Sequence, residues 1–144
     1  MKKILLIPFS IIVSYILFYQ YALYRDQQEV IKKTMGVYKI DLKKTDFTKF
    51  SEQEINQFKN LTLTFTKDSF RLNMQVPFLY DSSGYWIADH QYFEEMSNLF
   101  FDKNPQISNQ FGRCCFKDST MSLISAKPKE RDKFVGEIYF KKIF

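Results

Sequence analysis

The chain has 144 residues, a formal net charge of +5 and an aromatic content of 18%. Its lysines stand in short clusters interleaved with acidic residues, which indicates solvated surface charge and excludes nucleic acid as the expected partner. Only 4 glycines occur, which leaves little room for a phosphate-cradling loop.

An uncharged run from Ile4 to Tyr24 follows Lys2 and Lys3 at the N-terminus. As a helix this run would be about 32 Å long, enough for a hydrocarbon core of about 30 Å. Its second half carries rings suited to a lipid–water interface, namely Tyr15, Tyr19, Tyr21 and Tyr24. The sequence therefore predicts one transmembrane helix within an anchor of residues 1–24, with membrane lipid as its partner.

A cleaved signal peptide is the alternative interpretation, with Lys2 and Lys3 as the basic start and Ile4 to Ile16 as the apolar region. Cleavage requires small residues at alternate positions, and neither Ser14-Tyr15-Ile16 nor Gln20-Tyr21-Ala22 provides them. An uncleaved anchor is favoured, and cleavage stays open.

The polar segment that follows, residues 25–35, is predicted to be a short juxtamembrane helix or tether. It contains neither glycine nor proline before Gly36. The basic residues before the anchor favour a cytoplasmic N-terminus and so place the rest of the chain on the extracytoplasmic, periplasmic side. Arg25, Lys32 and Lys33 weaken this bias because they lie on the other side of the run.

About 120 residues remain after the anchor, the size of one domain, and their pattern changes to period two at Gly36. Residues 61–65 and 70–76 alternate apolar with polar across the turn Lys67-Asp68-Ser69, which predicts a β-hairpin. Ser51 and Glu54 have the spacing of a capping box, which predicts one short helix before this hairpin. Further strands are predicted at 37–42, 85–88, 96–101, 107–116, 120–125 and 134–143. About eight short strands with short connections favour a mainly β fold, an antiparallel up-and-down barrel.

Four segments carry a resemblance to a known family: Gly36-Val37-Tyr38, the hairpin of 61–72, Gly84-Tyr85-Trp86, and Gly136 to Phe140. Together they resemble the small lipocalin-like domains of uncharacterised, membrane-anchored bacterial envelope proteins, with Tyr38 in the place of that family's first tryptophan. The resemblance implies a lipocalin-like domain over residues 36–144. It also implies a barrel that holds a small hydrophobic ligand or serves as a structural module.

The inward positions of the predicted strands are the candidate ligand-binding residues. They are Tyr38, Leu63, Phe65, Leu72, Met74 and Trp86. The alternative is that these side chains fill the interior of a barrel this small and leave no space for a ligand.

Few residues of the sequence are candidates for catalysis, metal binding or redox chemistry. His90 is the single histidine, and the neighbouring Asp89 points to the opposite face of a strand, so no catalytic pair and no metal site is predicted. Cys114 and Cys115 are a candidate redox pair with three open interpretations. One thiol could pack while the other is exposed, the two could form a strained vicinal disulfide, or they could pair with another chain.

The sequence therefore predicts a membrane-tethered, non-catalytic β domain without a cofactor, which binds a small apolar or amphipathic ligand. The alternative is an envelope protein-interaction module that binds an assembly or immunity-type partner. Such a module would expose an aromatic patch, with Tyr80, Tyr85, Tyr92 and Phe93 as its candidates.

Overall fold

The computed structural model describes the backbone of residues 2–91, 94–100, 110–117, 119–124 and 128–144, and the side chains of 10–88, 112–117, 119–124 and 128–144. These residues form a long helix, α1 (Lys2–Thr34), a short helix, α2 (Glu52–Phe58), and eight strands. The strands are β1 (Gly36–Ile40), β2 (Thr62–Phe65), β3 (Ser69–Leu72), β4 (Ser83–Gln91), β5 (Glu94–Phe100), β6 (Gln110–Lys117), β7 (Thr120–Ile124) and β8 (Glu137–Lys142). Helix α2 connects β1 to β2, and a 3-10 turn (Arg131–Lys133) precedes β8.

The strands form a curled antiparallel sheet in which each strand pairs with the next along the chain. The last strand returns to the first, since Tyr38–Ile40 of β1 pairs with Phe140–Lys142 of β8. The ladders differ in length, with 7 residue pairs between β4 and β5 but only 3 between β3 and β4. The prediction of a mainly antiparallel β fold is confirmed, and successive strands pair with each other.

The predicted hairpin is confirmed as β2 and β3, in which Leu63 pairs with Leu72 and Phe65 with Phe70. The second strand is shorter than predicted and ends at Leu72. The next residue, Asn73, still donates its backbone N–H to the Thr62 carbonyl at 3.1 Å, but its side-chain amide oxygen, rather than its carbonyl, accepts the Thr62 N–H at 2.9 Å. The positions predicted to continue the strand, Met74 among them, therefore lie in the following loop.

Helix α2 lies in the connection between the end of β1 and the start of β2, and this end of the sheet is called the α2 end. The predicted capping box is present, with the Ser51 hydroxyl accepting the Glu54 N–H and the Glu54 carboxylate accepting the Ser51 N–H. This cap starts a helix that buries Phe58 in a cluster of phenylalanine rings. The cluster consists of Phe47, Phe50, Phe58 and Phe78, with ring centres 4.9 to 5.8 Å apart.

The opposite end, called the α1 end, is where α1 meets the sheet. The segment 25–35, predicted to be a short juxtamembrane helix or tether, is helical as far as Thr34 and continuous with the rest of α1, and it buries Val30 and Thr34. The Tyr38 hydroxyl donates to the Thr34 carbonyl at 2.9 Å, and Lys142 Nζ donates to the Lys33 carbonyl at 2.8 Å. Two strands of the sheet therefore hold the C-terminus of the helix.

Within the described residues, no helix combines the length and the apolar character that crossing a membrane requires. This finding differs from the prediction of a transmembrane helix in residues 1–24. Helix α1 has no break after Tyr24 and continues through a polar segment into the sheet.

Candidate functional site

Five of the six residues predicted to bind a ligand face the interior of the curled sheet. Tyr38, Leu63, Phe65, Leu72 and Trp86 are each at most 4% exposed. Met74 is half-buried after β3 and packs against the same core. The period-two pattern therefore predicted correctly which side chains of these strands point inward.

The interior side chains contact one another. The Phe65 ring centre lies 5.7 Å from that of Tyr38 and 5.7 Å from that of Trp86, both in edge-to-face geometry. Phe116, which the sequence did not single out, lies 6.1 Å from both Tyr38 and Phe65. Trp86 Nε1 donates to the Thr66 carbonyl at 2.9 Å, so the indole N–H is satisfied within the protein. These are contacts of a packed core, and a ligand role for the same residues stays a prediction.

Tyr38 is the polar group of this core. Burial raises the pKa of its hydroxyl well above the usual value, and the nearby Cys114 raises it further. The hydroxyl is therefore neutral at physiological pH and acts as the donor to the end of α1. The sequence placed Tyr38 inside, but its partner could not be predicted because the helix was expected to end earlier.

Cys114 and Cys115 lie on β6 and are not joined by a disulfide; Cys114 is buried and Cys115 is half-buried. Neighbouring side chains on a strand point to opposite faces, and Cys114 is the inward one. Burial raises the pKa of the Cys114 thiol, and the adjacent Cys115 raises it further, so the reactive thiolate is disfavoured there. Pairing with another chain stays a prediction.

Several predicted positions fall on residues that are described only as backbone or not at all. His90 pairs with Glu95 across β4 and β5, but both side chains lie outside the described set. Of the predicted aromatic patch, Tyr80 is exposed, Tyr85 is half-buried, and Tyr92 and Phe93 lie outside the described residues. Among the residues that are described, no three carboxylate, thiol or imidazole side chains converge as a metal site would require.

An ion pair that the sequence did not predict links α2 to the 3-10 turn before β8. Lys133 Nζ lies 2.8 Å from the Glu54 carboxylate and 4.8 Å from the centre of the Phe50 ring. The hydrogen bond from Lys133, followed by those from the Ser51 N–H and hydroxyl, lowers the pKa of Glu54 to about 2. The two partners are 79 positions apart in sequence, so only the fold brings them together.

The outer half of α1 exposes apolar side chains on every side. Four consecutive residues show this: Tyr15 is 70% exposed, Ile16 51%, Leu17 64% and Phe18 71%. The exposed set also contains Ile11, Ile12, Val13, Tyr19, Tyr21, Leu23 and Tyr24. Since successive helical residues point about 100° apart, residues 15–18 expose apolar side chains in all directions.

Only the later part of this segment meets the β domain. Helix α1 contacts β4, and the two enclose an open groove of about 330 Å³. The groove is lined by Gln20, Leu23, Tyr24, Gln27 and Ala88. This surface was not predicted because it depends on β4 extending beyond its neighbour β3.

Comparison of the chain with family models, curated proteins and solved structures finds no match. The resemblance to lipocalin-like envelope domains therefore stays a prediction.

Proposed function

We propose that the chain is a non-catalytic β module that α1 attaches to a lipid membrane. One observation carries this proposal: between Ser10 and Tyr24 the helix has no charged residue and exposes apolar side chains all round. Exposing such a segment to water is unfavourable, and a helix that is apolar on all faces belongs in an apolar environment.

Lipid fits this segment better than a protein partner does. A partner that binds an amphipathic helix in a groove covers one stripe of residues spaced three and four apart. Acyl chains surround a helix, which matches the exposure of Tyr15 to Phe18 on successive faces. The tyrosines add hydroxyl groups suited to the headgroup level. The proposal concerns attachment to lipid, and the extracytoplasmic location of the β domain stays a separate prediction.

For the β domain, we propose a lipocalin-like up-and-down barrel. Its support is the strand order β1 to β8 together with the return ladder between β8 and β1. The edge-to-face contacts of Phe65 favour an interior that acts as a folding core. A small apolar ligand would then have to displace rings that already contact one another.

The test is flotation of the full-length chain with phosphatidylcholine vesicles, after dilution from mild detergent. We expect the wild type to float with the vesicles. The double variant Ile16→Gln/Phe18→Gln should partition at least ~10-fold more weakly, because each buried side chain of this size contributes roughly 1.5–3 kcal/mol.

The matched control is Phe134→Gln/Ile143→Gln, which makes the same kind of change at exposed apolar residues of the β domain. This variant should float like the wild type. Equal loss in both variants, or no flotation of the wild type, would refute attachment through α1.

A further inference from the structure

We propose that the outer face of β1, β8 and β6 near the α1 end binds anionic phospholipid headgroups. The surface consists of Lys39, Lys141 and Lys117 and is called the lysine row. This inference rests on the proposed attachment of α1 to lipid, and it adds the lipid class that the β domain recognises.

The strand register places the three lysines in one line across the sheet. Lys39 of β1 pairs with Lys141 of β8, Lys141 pairs with Thr120 of β7, and Thr120 pairs with Lys117 of β6. Residues directly opposite each other in a sheet point to the same face. That face is the outer one, because the adjacent Tyr38 and Phe140 are buried.

The positive charge of the row is not neutralised within the described residues. All three lysines are exposed, and none of them makes an ion pair with the described acidic side chains. Two carboxylates of the same segments, Asp41 just after β1 and Glu137 of β8, are engaged locally. Asp41 accepts the N–H groups of Lys43 and Lys44, and Glu137 accepts the Tyr139 hydroxyl.

The direct pairing of Lys39 with Lys141 is unfavourable for the sheet by itself. Like charges on directly opposite residues of neighbouring strands repel and destabilise the pair. Thr120 extends the row with a hydroxyl between Lys141 and Lys117, and it contributes no opposing charge. A polyanionic surface laid against this face would relieve the repulsion and gain three charge-assisted contacts.

The lysine row is also fixed relative to α1. Lys142, next to Lys141, donates to the last turn of the helix and lies 5.6 Å from the centre of the Tyr38 ring. That last turn carries the exposed Lys32. Lys141 and the last turn of α1 are therefore held in the same part of the fold. Each lysine near an anionic leaflet raises partition roughly fivefold.

The test compares the full-length chain on vesicles of phosphatidylcholine and on vesicles of equimolar phosphatidylcholine and phosphatidylserine. The variant is Lys39→Gln/Lys117→Gln/Lys141→Gln. The control is Lys43→Gln/Lys44→Gln/Lys59→Gln, which removes the same charge from exposed positions at the α2 end. On the phosphatidylserine mixture we expect the row variant to bind about 10-fold or more weakly, and the control to bind like the wild type. On phosphatidylcholine alone, all three should bind equally.

Acetylation of lysines by a water-soluble reagent, read by mass spectrometry, gives an independent result. On the phosphatidylserine mixture, labelling of Lys39, Lys117 and Lys141 should fall several-fold, while that of Lys43, Lys44 and Lys59 should stay constant. Equal binding by the row variant and the wild type, or equal losses in both triple variants, overturns the inference and leaves attachment through α1 intact. Failure of the wild type to bind either kind of vesicle overturns both proposals. Binding to the phosphatidylserine mixture alone, lost in the row variant, supports the lysine row and refutes attachment through the apolar helix.

Discussion

Gly36 is the first residue of β1, and its backbone conformation sets the angle at which the chain leaves α1. Its φ of 145° lies in a region that side chains rarely adopt, and an added Cβ would collide with the Phe144 carbonyl oxygen. The same carbonyl oxygen accepts a hydrogen bond from the Val37 N–H at 2.9 Å. The C-terminal residues can therefore cross the start of β1 only because position 36 has no side chain.

We expect Gly36→Ala to lower the free energy of unfolding by ~1–3 kcal/mol, the usual magnitude for a strained backbone conformation. Chemical denaturation of the full-length chain in detergent measures this change. Gly136→Ala is the matched control, because nothing lies within 4 Å of an added Cβ there. Equal stability of the two variants would show that the junction tolerates a side chain.

At the scale of elements, the sequence predicted those features that depend on residues close together in the chain. The alternation of Leu63, Phe65 and Leu72 fixed their inward direction because side chains of a strand alternate. The capping box of α2 was predicted because Ser51 and Glu54 are only three residues apart. The lysine row was not predicted, since Lys39 and Lys141 become neighbours only when the last strand returns to the first. The end of β3 was missed because the side chain of Asn73 takes over one of its two hydrogen bonds to Thr62.

The ion pair between Glu54 of α2 and Lys133 before β8 should make the free energy of unfolding depend on pH in the acidic range. The pKa of Glu54 is about 2 in the folded protein, against an ordinary value near ~4.3 when unfolded. A carboxyl whose folded pKa is lowered contributes its full stabilisation above the unfolded pKa and loses it as the pH falls towards the folded one. The Glu54 contribution should therefore be complete above about pH 5 and should vanish near about pH 2.

Urea denaturation at a series of pH values tests this with Glu54→Gln, which retains the shape of the capping box. The wild type should be more stable than the variant at neutral pH, and the difference should shrink as the pH falls below about 5. Glu52→Gln removes the same charge from the same helix without contacting Lys133. A Glu54→Gln variant that follows the wild type at every pH would contradict the assigned role of the ion pair.

At the scale of the whole molecule, α1 has two halves with different surroundings. Residues 10–24 are largely exposed, whereas the half after Tyr24 buries Val30 and Thr34 and is bonded to Tyr38 and Lys142. The sequence predicted a change from an apolar to a polar segment at this point, with the polar segment as a short juxtamembrane helix or tether. That Val30 and Thr34 would be buried could not be predicted, because it depends on contacts with strands far along the chain.

Two shortened chains separate these halves. A chain that begins at Arg25 keeps the buried Val30 and Thr34 and their surroundings, and it loses the exposed Leu23 and Tyr24 that line the groove beside β4. Because these two side chains are exposed, its free energy of unfolding should stay within ~1 kcal/mol of that of the full chain. A chain that begins at Gly36 loses Val30 and leaves the buried Tyr38 hydroxyl without its acceptor. It should be less stable by roughly 2–5 kcal/mol, from lost burial and an unsatisfied donor.

Denaturation of both chains in the same buffer, followed by circular dichroism, measures these differences, and vesicle flotation measures attachment. The chain from Arg25 should fold and no longer float with phosphatidylcholine vesicles. If the chains from Arg25 and Gly36 were equally stable, the last part of α1 would be a spacer and its bonds to Tyr38 and Lys142 would contribute nothing measurable. A stable Arg25 chain beside a destabilised Gly36 chain would instead show that residues 25–34 belong to the β domain. Lipid binding would then depend on the apolar half of α1, and the orientation of the lysine row would be set by the half that is held in the fold.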